Sequence, residues 1–393
     1  MNIERVLLVH NAYRHAGGED SVVADEAALL KRKGHDVFEM RRDNHELDDM
    51  GRASLAVQTL WSTRTHRETL DVLERCRPQI VHVHNTLPLI SPSLYWACAR
   101  AGVPVVQTLH NFRLACPQAM FLREGRVCES CIGRLPLPAL RHGCYRDSRT
   151  QTAVVVGMLA LHRGLGTWRN KVSRYIALNE FCRAKFVQSG LPAQRVVVKP
   201  NFADIDRDPE PGPRKDFLFV GRLSPEKGID VLAQAWGACP GLALRVAGSG
   251  ESGAALGARA GVTLLGSLAQ PHVQREMRGA VALVLPSLWY ENFPRTLVEA
   301  FGAGLPVIAS RMGAMAELIE PGVTGLLFEP GDAKELGAVL RWAARHPALM
   351  AAMGANARAR YESLYTADIN YKRLMEIYRA AIDDRTTTGK FHD

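Results

Sequence analysis

The feature that most constrains this chain is an alternation, written twice, of short apolar runs with helix-length segments. The first series is VLLVH (6–10), HDVFEM (35–40), QIVHVHN (79–85), PVVQTLH (104–110), YIALN (175–179) and VVVKPN (196–201). The second is FLFVGR, LALRVAG, VTLLG, VALVLPS, LPVIAS and TGLLFEP, each followed by a helical stretch. Strands spaced by helix-sized crossovers pair in parallel, so the pattern predicts two Rossmann-like, doubly wound α/β domains. Between the series, ADIDRDPEPGPRKD (203–216) is too rich in Asp, Pro and Gly to sustain helix or strand, which places a boundary there and gives domains 1–205 and 206–393. A length of 393 residues suits two cores better than one. The end of the chain, from 333 to about 382, is helical in character and is free to pack on either domain, and the tail RTTTGKFHD is expected to be disordered.

The longest apolar run, AVVVGMLAL (153–161), is far shorter than the roughly 18 residues a membrane span requires, and MNIERVLLVH is no signal peptide. A cytoplasmic protein is expected, with eight cysteines as reduced thiols or metal ligands rather than a disulfide framework. Charge is unevenly spread. The net +9 lies wholly in residues 1–205, and residues 113–199 alone carry 15 basic against 4 acidic side chains. Such a segment attracts an anionic partner, here an anionic membrane surface or a phosphorylated acceptor. Sparse aromatic interleaving argues against nucleic acid.

Ligands of open parallel sheets bind beyond the carboxyl ends of the strands, so the loops there hold the candidate residues. After the first strand, Gly17 and Gly18 would let backbone approach a ligand just before a helix N-terminus. His110 ends the strand PVVQTLH. In FVGRLSPEKG, Arg222 and Lys227 could clamp a diphosphate, Arg as a fork and Lys as a point charge. LRVAGSGESG holds a G-x-G-x-x-G, but without the acidic residue that a dinucleotide fingerprint has some 20 positions on, so these glycines are read as keeping a loop low. Asp204 and Asp206 form a D-x-D that is read as solvated linker. Cys116, Cys128, Cys131 and Cys144, in an insertion near 113–150, are spaced C-x11-C-x2-C-x12-C. They admit structural zinc, with His142 able to replace Cys144, or reduced thiols; the spacing leaves both open.

Taken together, these residues resemble the retaining glycosyltransferases of family 4, which have the two-domain GT-B fold and use nucleotide-activated sugars. ENFPRTLVE (291–299) looks like that family's E-x7-E motif, followed by AFGAGLPVIAS and GVTGLLFEPGD. HNFRLACP and the cysteines after it resemble a bacterial subset that makes surface polysaccharides. The resemblance implies that Glu299 holds the ribose of the donor, Glu291 and His110 face the donor sugar, Arg222 and Lys227 bind the diphosphate, and Gly17 and Gly18 form the N-terminal glycine loop. Pro294 stands where many relatives have Gly and offers no N–H. It suits the first position of a helix, which leaves Asn292 and Phe293 as the backbone donors. The implied acceptor is a glycan or a lipid-linked species such as a polyprenyl diphosphate, and no cofactor is needed for the chemistry. Two other functions fit less of the chain: a sugar-nucleotide epimerase of the same layout, and a zinc-containing nucleic-acid-binding protein, which would leave the second half unexplained.

Overall fold

The computed structural model describes residues 3–14, 17–205 and 214–388, so Asp206 and most of the Pro-rich linker lie outside the described residues. The chain forms two compact units. The first comprises Met1–Met120, Glu129–Pro200 and Asn370–Asp393; the second comprises Phe121–Cys128 and Asn201–Ile369.

The first unit is built on a six-stranded sheet. Its strands are β1 (Arg5–Ala12), β2 (Asp36–Asp43), β3 (Ile80–Asn85), β4 (Val105–Thr108), β7 (Arg174–Ala177) and β8 (Val196–Val198); between β4 and β7 the chain forms a small hairpin of β5 (Leu122–Arg123) and β6 (Arg126–Val127), grouped with the second unit, that the sequence pattern does not announce. All pairings within the six are parallel, in the order β2-β1-β3-β4-β7-β8. Central strands covered on both faces need apolar side chains at almost every position. That is why Val6, Leu7, Leu8 and Val9 are all buried in succession. The helix Gly18–Arg32 follows β1 directly. Its first turn carries Glu19 and Asp20 and its last Lys31 and Arg32, complementing the helix dipole. Asp20 also accepts from the Gly17 N–H at 2.8 Å, closing the turn that starts the helix.

The last helix, Ala367–Thr388, completes the core of this first unit. Leu374, Met375, Tyr378 and Ala381 pack with Ile3, Val6, Leu8, Leu30, Ile80 and Val106 in one apolar cluster. The helix runs through Thr388, so the first residues of the expected disordered tail, 385–388, are helical; residues 389–393 lie outside the described part.

The second unit repeats the plan with β9 (Phe217–Val220), β10 (Leu244–Ala247), β11 (Val262–Gly266), β12 (Ala282–Leu285), β13 (Val307–Ser310) and β14 (Gly325–Phe328), in the order β11-β10-β9-β12-β13-β14 and parallel throughout. Phe217, Phe219, Trp236, Leu244, Val284, Ile308 and Phe328 anchor its core. Gly248 and Gly250 lie at φ +150° and +152°, and a Cβ on either would come within 1.8 and 2.4 Å of the carbonyl oxygens of Gly221 and Leu223. The glycines therefore let the loop after β10 press backbone-to-backbone on the loop after β9, which carries Arg222. No dinucleotide is needed to explain them.

Because Leu374 is fully buried in the first unit's core, Leu374→Ala should destabilise the protein by about 2–5 kcal/mol in urea unfolding. An unchanged midpoint would mean that the last helix is not part of that core.

Candidate functional site

In the first unit, the carboxyl ends of three neighbouring strands bring an unusual set of buried polar groups together. His10 lies on β1, His82 and His84 on β3, and His110 two residues beyond β4. His82 and His84 are two apart on a strand and therefore share a face. Their rings lie 4.2 Å apart, and the His84 and His110 rings stack at 5.2 Å. His84 Nδ1 and His110 Nε2 are 2.9 Å apart. From the helix Gly18–Arg32, Glu26 points into this group, with its Oε1 2.8 Å from His82 Nδ1 and 3.4 Å from His84 Nε2.

A buried carboxylate requires compensation. Lys199, just past β8, supplies it: its Nζ lies 3.1 Å from Glu26 Oε2 and donates to Asn370 Oδ1 at 3.0 Å. Burial pushes the Glu26 carboxyl up, but the Lys199 and His82 charges and the imidazole hydrogen bonds outweigh it and hold the carboxyl well below its usual range. Burial lowers His84 to about 4, with His82 adding to the shift and Glu26 opposing it. Burial, then the neighbouring His84, likewise holds His110 well below the ordinary histidine value. Both imidazoles are neutral at physiological pH. Glu26, His82 and His84 also have metal-ligating atoms within 4.8 Å of one another. The ammonium already sitting on Glu26 makes them a poor cation cage.

Beside this group lies a second carboxyl. Glu19 accepts from Tyr13 Oη at 2.9 Å and from Asn111 Nδ2 at 3.4 Å. Burial raises it to about 8, against the lowering by the Tyr13 hydrogen bond, and the Asp20 charge raises it further. Asp20 behaves oppositely. Burial raises it, but hydrogen bonds from His10, the Gly17 N–H and the Tyr13 N–H more than offset this and hold it below its normal value. Gly17 and Gly18 sit at this helix start, and a Cβ on Gly18 would meet nothing within 4 Å, so the chain's own packing does not demand glycine there.

In the second unit, the loop after β12 and the helix Arg295–Gly302 organise the E-x7-E stretch. Glu291 is buried in the loop, and its Oε1 accepts from Lys227 Nζ at 2.6 Å, Ser287 Oγ at 2.8 Å and Trp289 Nε1 at 3.1 Å. Glu299, in the second turn of the helix, accepts from Gln270 Nε2 and Arg295 Nε, each at 2.7 Å. Pro294 caps this helix at φ −68° and ψ 112° and Arg295 takes the first helical position, one residue later than expected for the proline. Asn292 and Phe293 lie buried immediately ahead, and the Phe293 ring meets Tyr365 edge-on at 6.0 Å. Lys227 is thus joined to Glu291. Arg222 is turned to solvent and bonds Glu226 at 3.0 Å.

Cys116, Cys131 and Cys144 belong to the first unit, and Cys128 closes the hairpin segment grouped with the second. Cys131 and Cys144 pack with Ala139, Leu140 and Val156 in a small apolar cluster. Sequence spacing did not single out Glu26, His82, His84, Lys199 or Gln270. The H-V-H on β3 was a readable signal, since period-two histidines on a buried strand must share a face.

Comparison with known proteins agrees with this architecture. A family model described as Glycosyltransferase Family 4 matches residues 16–207, and one described as Glycosyl transferases group 1 matches residues 201–360. The D-inositol 3-phosphate glycosyltransferase of Rhodococcus opacus is 32% identical over 327 residues, covering 77% of this chain and 67% of the relative. The amylovoran biosynthesis glycosyltransferase AmsK of Erwinia amylovora is 29% identical over 226 residues, covering 51% of this chain and 55% of the relative. Other matches are shorter: the D-inositol 3-phosphate glycosyltransferase of Mycolicibacterium paratuberculosis is 32% identical over 187 residues, and the match spans 44% of this chain and 42% of that relative's length. Among solved structures, Anabaena HepE in complex with UDP-glucose superposes with a TM-score of 0.67 at 19% identity, covering 95% of this chain and 98% of HepE. The chain belongs to glycosyltransferase family 4 and has the GT-B fold.

Glu19 generates a pH prediction. Its folded-state value, about 8, lies above the ordinary carboxyl value of 4.5, so its contribution is fully present below that ordinary value and is lost as pH rises through about 8. Glu19→Gln keeps the neutral form at every pH. The variant should therefore gain stability on the wild type between those two values and hold a constant advantage above them, measured by urea unfolding across the range. A difference that does not change with pH would contradict the raised value.

Proposed function

We propose that the protein transfers a sugar, with retention of anomeric configuration, from a nucleotide-sugar donor to a glycan or lipid-linked acceptor in cell-surface polysaccharide synthesis. The observation that carries this is the E-x7-E stretch. One carboxylate is fixed in the loop by Lys227, Ser287 and Trp289, and the other is fixed on the helix by Gln270 and Arg295. Two carboxylates with separate sets of partners suit two separate tasks, Glu299 on the ribose and Glu291 towards the sugar. The UDP-glucose complex of HepE supports a UDP-sugar as donor, and AmsK's role in amylovoran biosynthesis supports a polysaccharide product.

Cleavage of a sugar–phosphate bond is accelerated by stabilising the departing diphosphate. Lys227 and Arg222, with the backbone N–H groups of Asn292 and Phe293 ahead of the helix, supply that positive potential. The acceptor oxygen bonds to the anomeric carbon on the face from which the diphosphate leaves. The phosphate oxygen that departs takes the acceptor's proton, and the nucleoside diphosphate is released. The resemblance assigns His110 to the donor sugar.

The basic segment bears on the acceptor. No helix among the described residues is long and apolar enough to cross a membrane. Leu161 and Leu165, four apart at the end of the helix Arg149–Gly164, are however exposed, as are Leu135 and Leu137. Arg163 on that helix bonds the Arg134 carbonyl at 2.7 Å, so exposed leucines and arginines share one region. Apolar side chains among cations are the composition of a peripheral contact with an anionic membrane.

Two measurements test this. Against a panel of UDP- and GDP-sugars, the wild type should hydrolyse or transfer one slowly. Glu299→Ala should weaken nucleotide binding by roughly 10-fold or more, and Glu291→Ala should lower turnover with little change in nucleotide affinity. Equal losses of affinity in both would contradict the division of roles, and no binding to any donor would overturn the function. In co-sedimentation, binding to vesicles containing phosphatidylglycerol should fall with added salt and in Leu161→Asp/Leu165→Asp. Indifference to anionic lipid would remove the membrane contact.

A further inference from the structure

We propose that Glu26 and His84 are positioning residues for His110: through His84, Glu26 fixes the His110 tautomer so that Nδ1 faces the donor sugar as a hydrogen-bond acceptor. The assignment of a sugar to that side of His110 rests on the function proposed above; the tautomer rests on the first unit alone.

The chain of reasoning begins at the charge. Glu26 has its own counter-ion in Lys199, and Asn370 holds that ammonium in place, so the carboxylate stays ionised without a proton from any histidine. An ionised carboxylate only accepts hydrogen bonds. Its Oε1 lies 2.8 Å from His82 Nδ1 and 3.4 Å from His84 Nε2, a buried nitrogen that makes no hydrogen bond to any other group, so the carboxylate's charge favours hydrogen on that nitrogen. His84 Nε2 therefore carries the proton. In a neutral imidazole the opposite nitrogen is then a lone pair, and the bond made by one nitrogen sets the role of the other. His84 Nδ1 can only accept, and it lies 2.9 Å from His110 Nε2. That contact requires one N–H, which His110 must supply from Nε2. The remaining nitrogen of His110, Nδ1, is left as an acceptor.

The surrounding groups reinforce this order. His82 has its two nitrogens occupied, Nδ1 by Glu26 at 2.8 Å and Tyr378 Oη at 2.7 Å, and Nε2 by Thr108 Oγ1 at 2.8 Å. His10 is engaged by Asp20 at 2.9 Å and meets His84 only edge-on, with ring centroids 6.4 Å apart. Among the described residues, neither competes for the His84–His110 contact. The stacking of the His84 and His110 rings, with planes 19° apart, fixes orientation as well as tautomer. A hydroxyl of the transferred sugar can donate to Nδ1, whereas a ring N–H there would require an acceptor instead.

The test has two readouts. In the full-length chain labelled with 15N-histidine, long-range proton–nitrogen spectra near neutral pH should show His84 and His110 in the Nε2–H form, with His110 assigned by its absence in His110→Gln. Glu26→Gln/Lys199→Met keeps the summed charge of the pair and replaces the carboxylate with an amide that can also donate. It should bring up the Nδ1–H form of His110. Hydrolysis of whichever of UDP-glucose, UDP-galactose or GDP-mannose the wild type turns over should fall about 10- to 100-fold in kcat, with donor KM little changed. His84→Gln leaves the Glu26–Lys199 pair intact and guards against misfolding of the double variant; its kcat should fall by a similar factor. Finding His110 as Nδ1–H in the wild type, or wild-type kcat in His84→Gln, would overturn the proposal. Failure of the wild type to bind any nucleotide sugar would remove the sugar as the group His110 faces, while the spectra still decide the tautomer by themselves.

Discussion

Parallel pairing of strands is the constraint on which the rest of this molecule depends. Each parallel neighbour demands a return across the sheet, and the returns put helix starts and strand ends along one edge of each unit. His10, His84 and His110 reach one such edge from β1, β3 and the end of β4, and Lys227, Glu291 and Glu299 come from the loops and helix after β9 and β12. His84 and His110 are 26 residues apart in sequence, and Lys227 and Glu291 are 64 apart. Their proximity is a product of strand order, and a change of topology would scatter all of them.

The first unit places ionised groups where a sheet of this kind normally places apolar side chains. Glu26 and Lys199 are both almost wholly buried, and each would be costly to bury alone. A leucine pair of similar volume would hold the core as well or better. What a carboxylate adds is direction: an anionic acceptor dictates which nitrogen of a neighbouring imidazole carries hydrogen, and aliphatic packing cannot do that. The second unit uses the same device with opposite polarity. Glu291 is surrounded by three donors, from Lys227, Ser287 and Trp289, and so has a fixed geometry on a loop that would otherwise be adaptable.

Much of this was legible in the sequence because it is local. All twelve strands of the two parallel sheets follow from apolar runs with turns between them, and the E-x7-E stretch announces its loop and helix. Pro294 shows the grain of such inference: its fixed φ marks the helix start, but whether it caps the helix or opens it turns on a single residue. The hairpin Leu122–Arg123/Arg126–Val127 was not foreseen, since two-residue strands carry no periodicity. The partners of Glu26 were not foreseen either. They join a helix, one strand, a loop residue and, through Lys199, Asn370 of the last helix, across separations of up to 173 residues that no local pattern records. Lys227 was found from its place after a strand, yet the sequence paired it with Arg222, whereas in the fold its partner is Glu291.

The return of the last helix to the first unit has a consequence for how the molecule comes into being. Tyr378 and Leu374 seal an apolar cluster that includes Ile3, Val6, Ile80, Val106 and Ile176, all of which precede the second unit's sheet in the chain. Asn370 completes the partners of Lys199. A nascent chain that has already emerged through residue 369 holds every residue of the second unit, but still lacks the piece that closes the first. The order of synthesis and the order of completion are thus reversed. The first unit, with its buried Glu26, can reach its final form only after every residue of the second unit has been made.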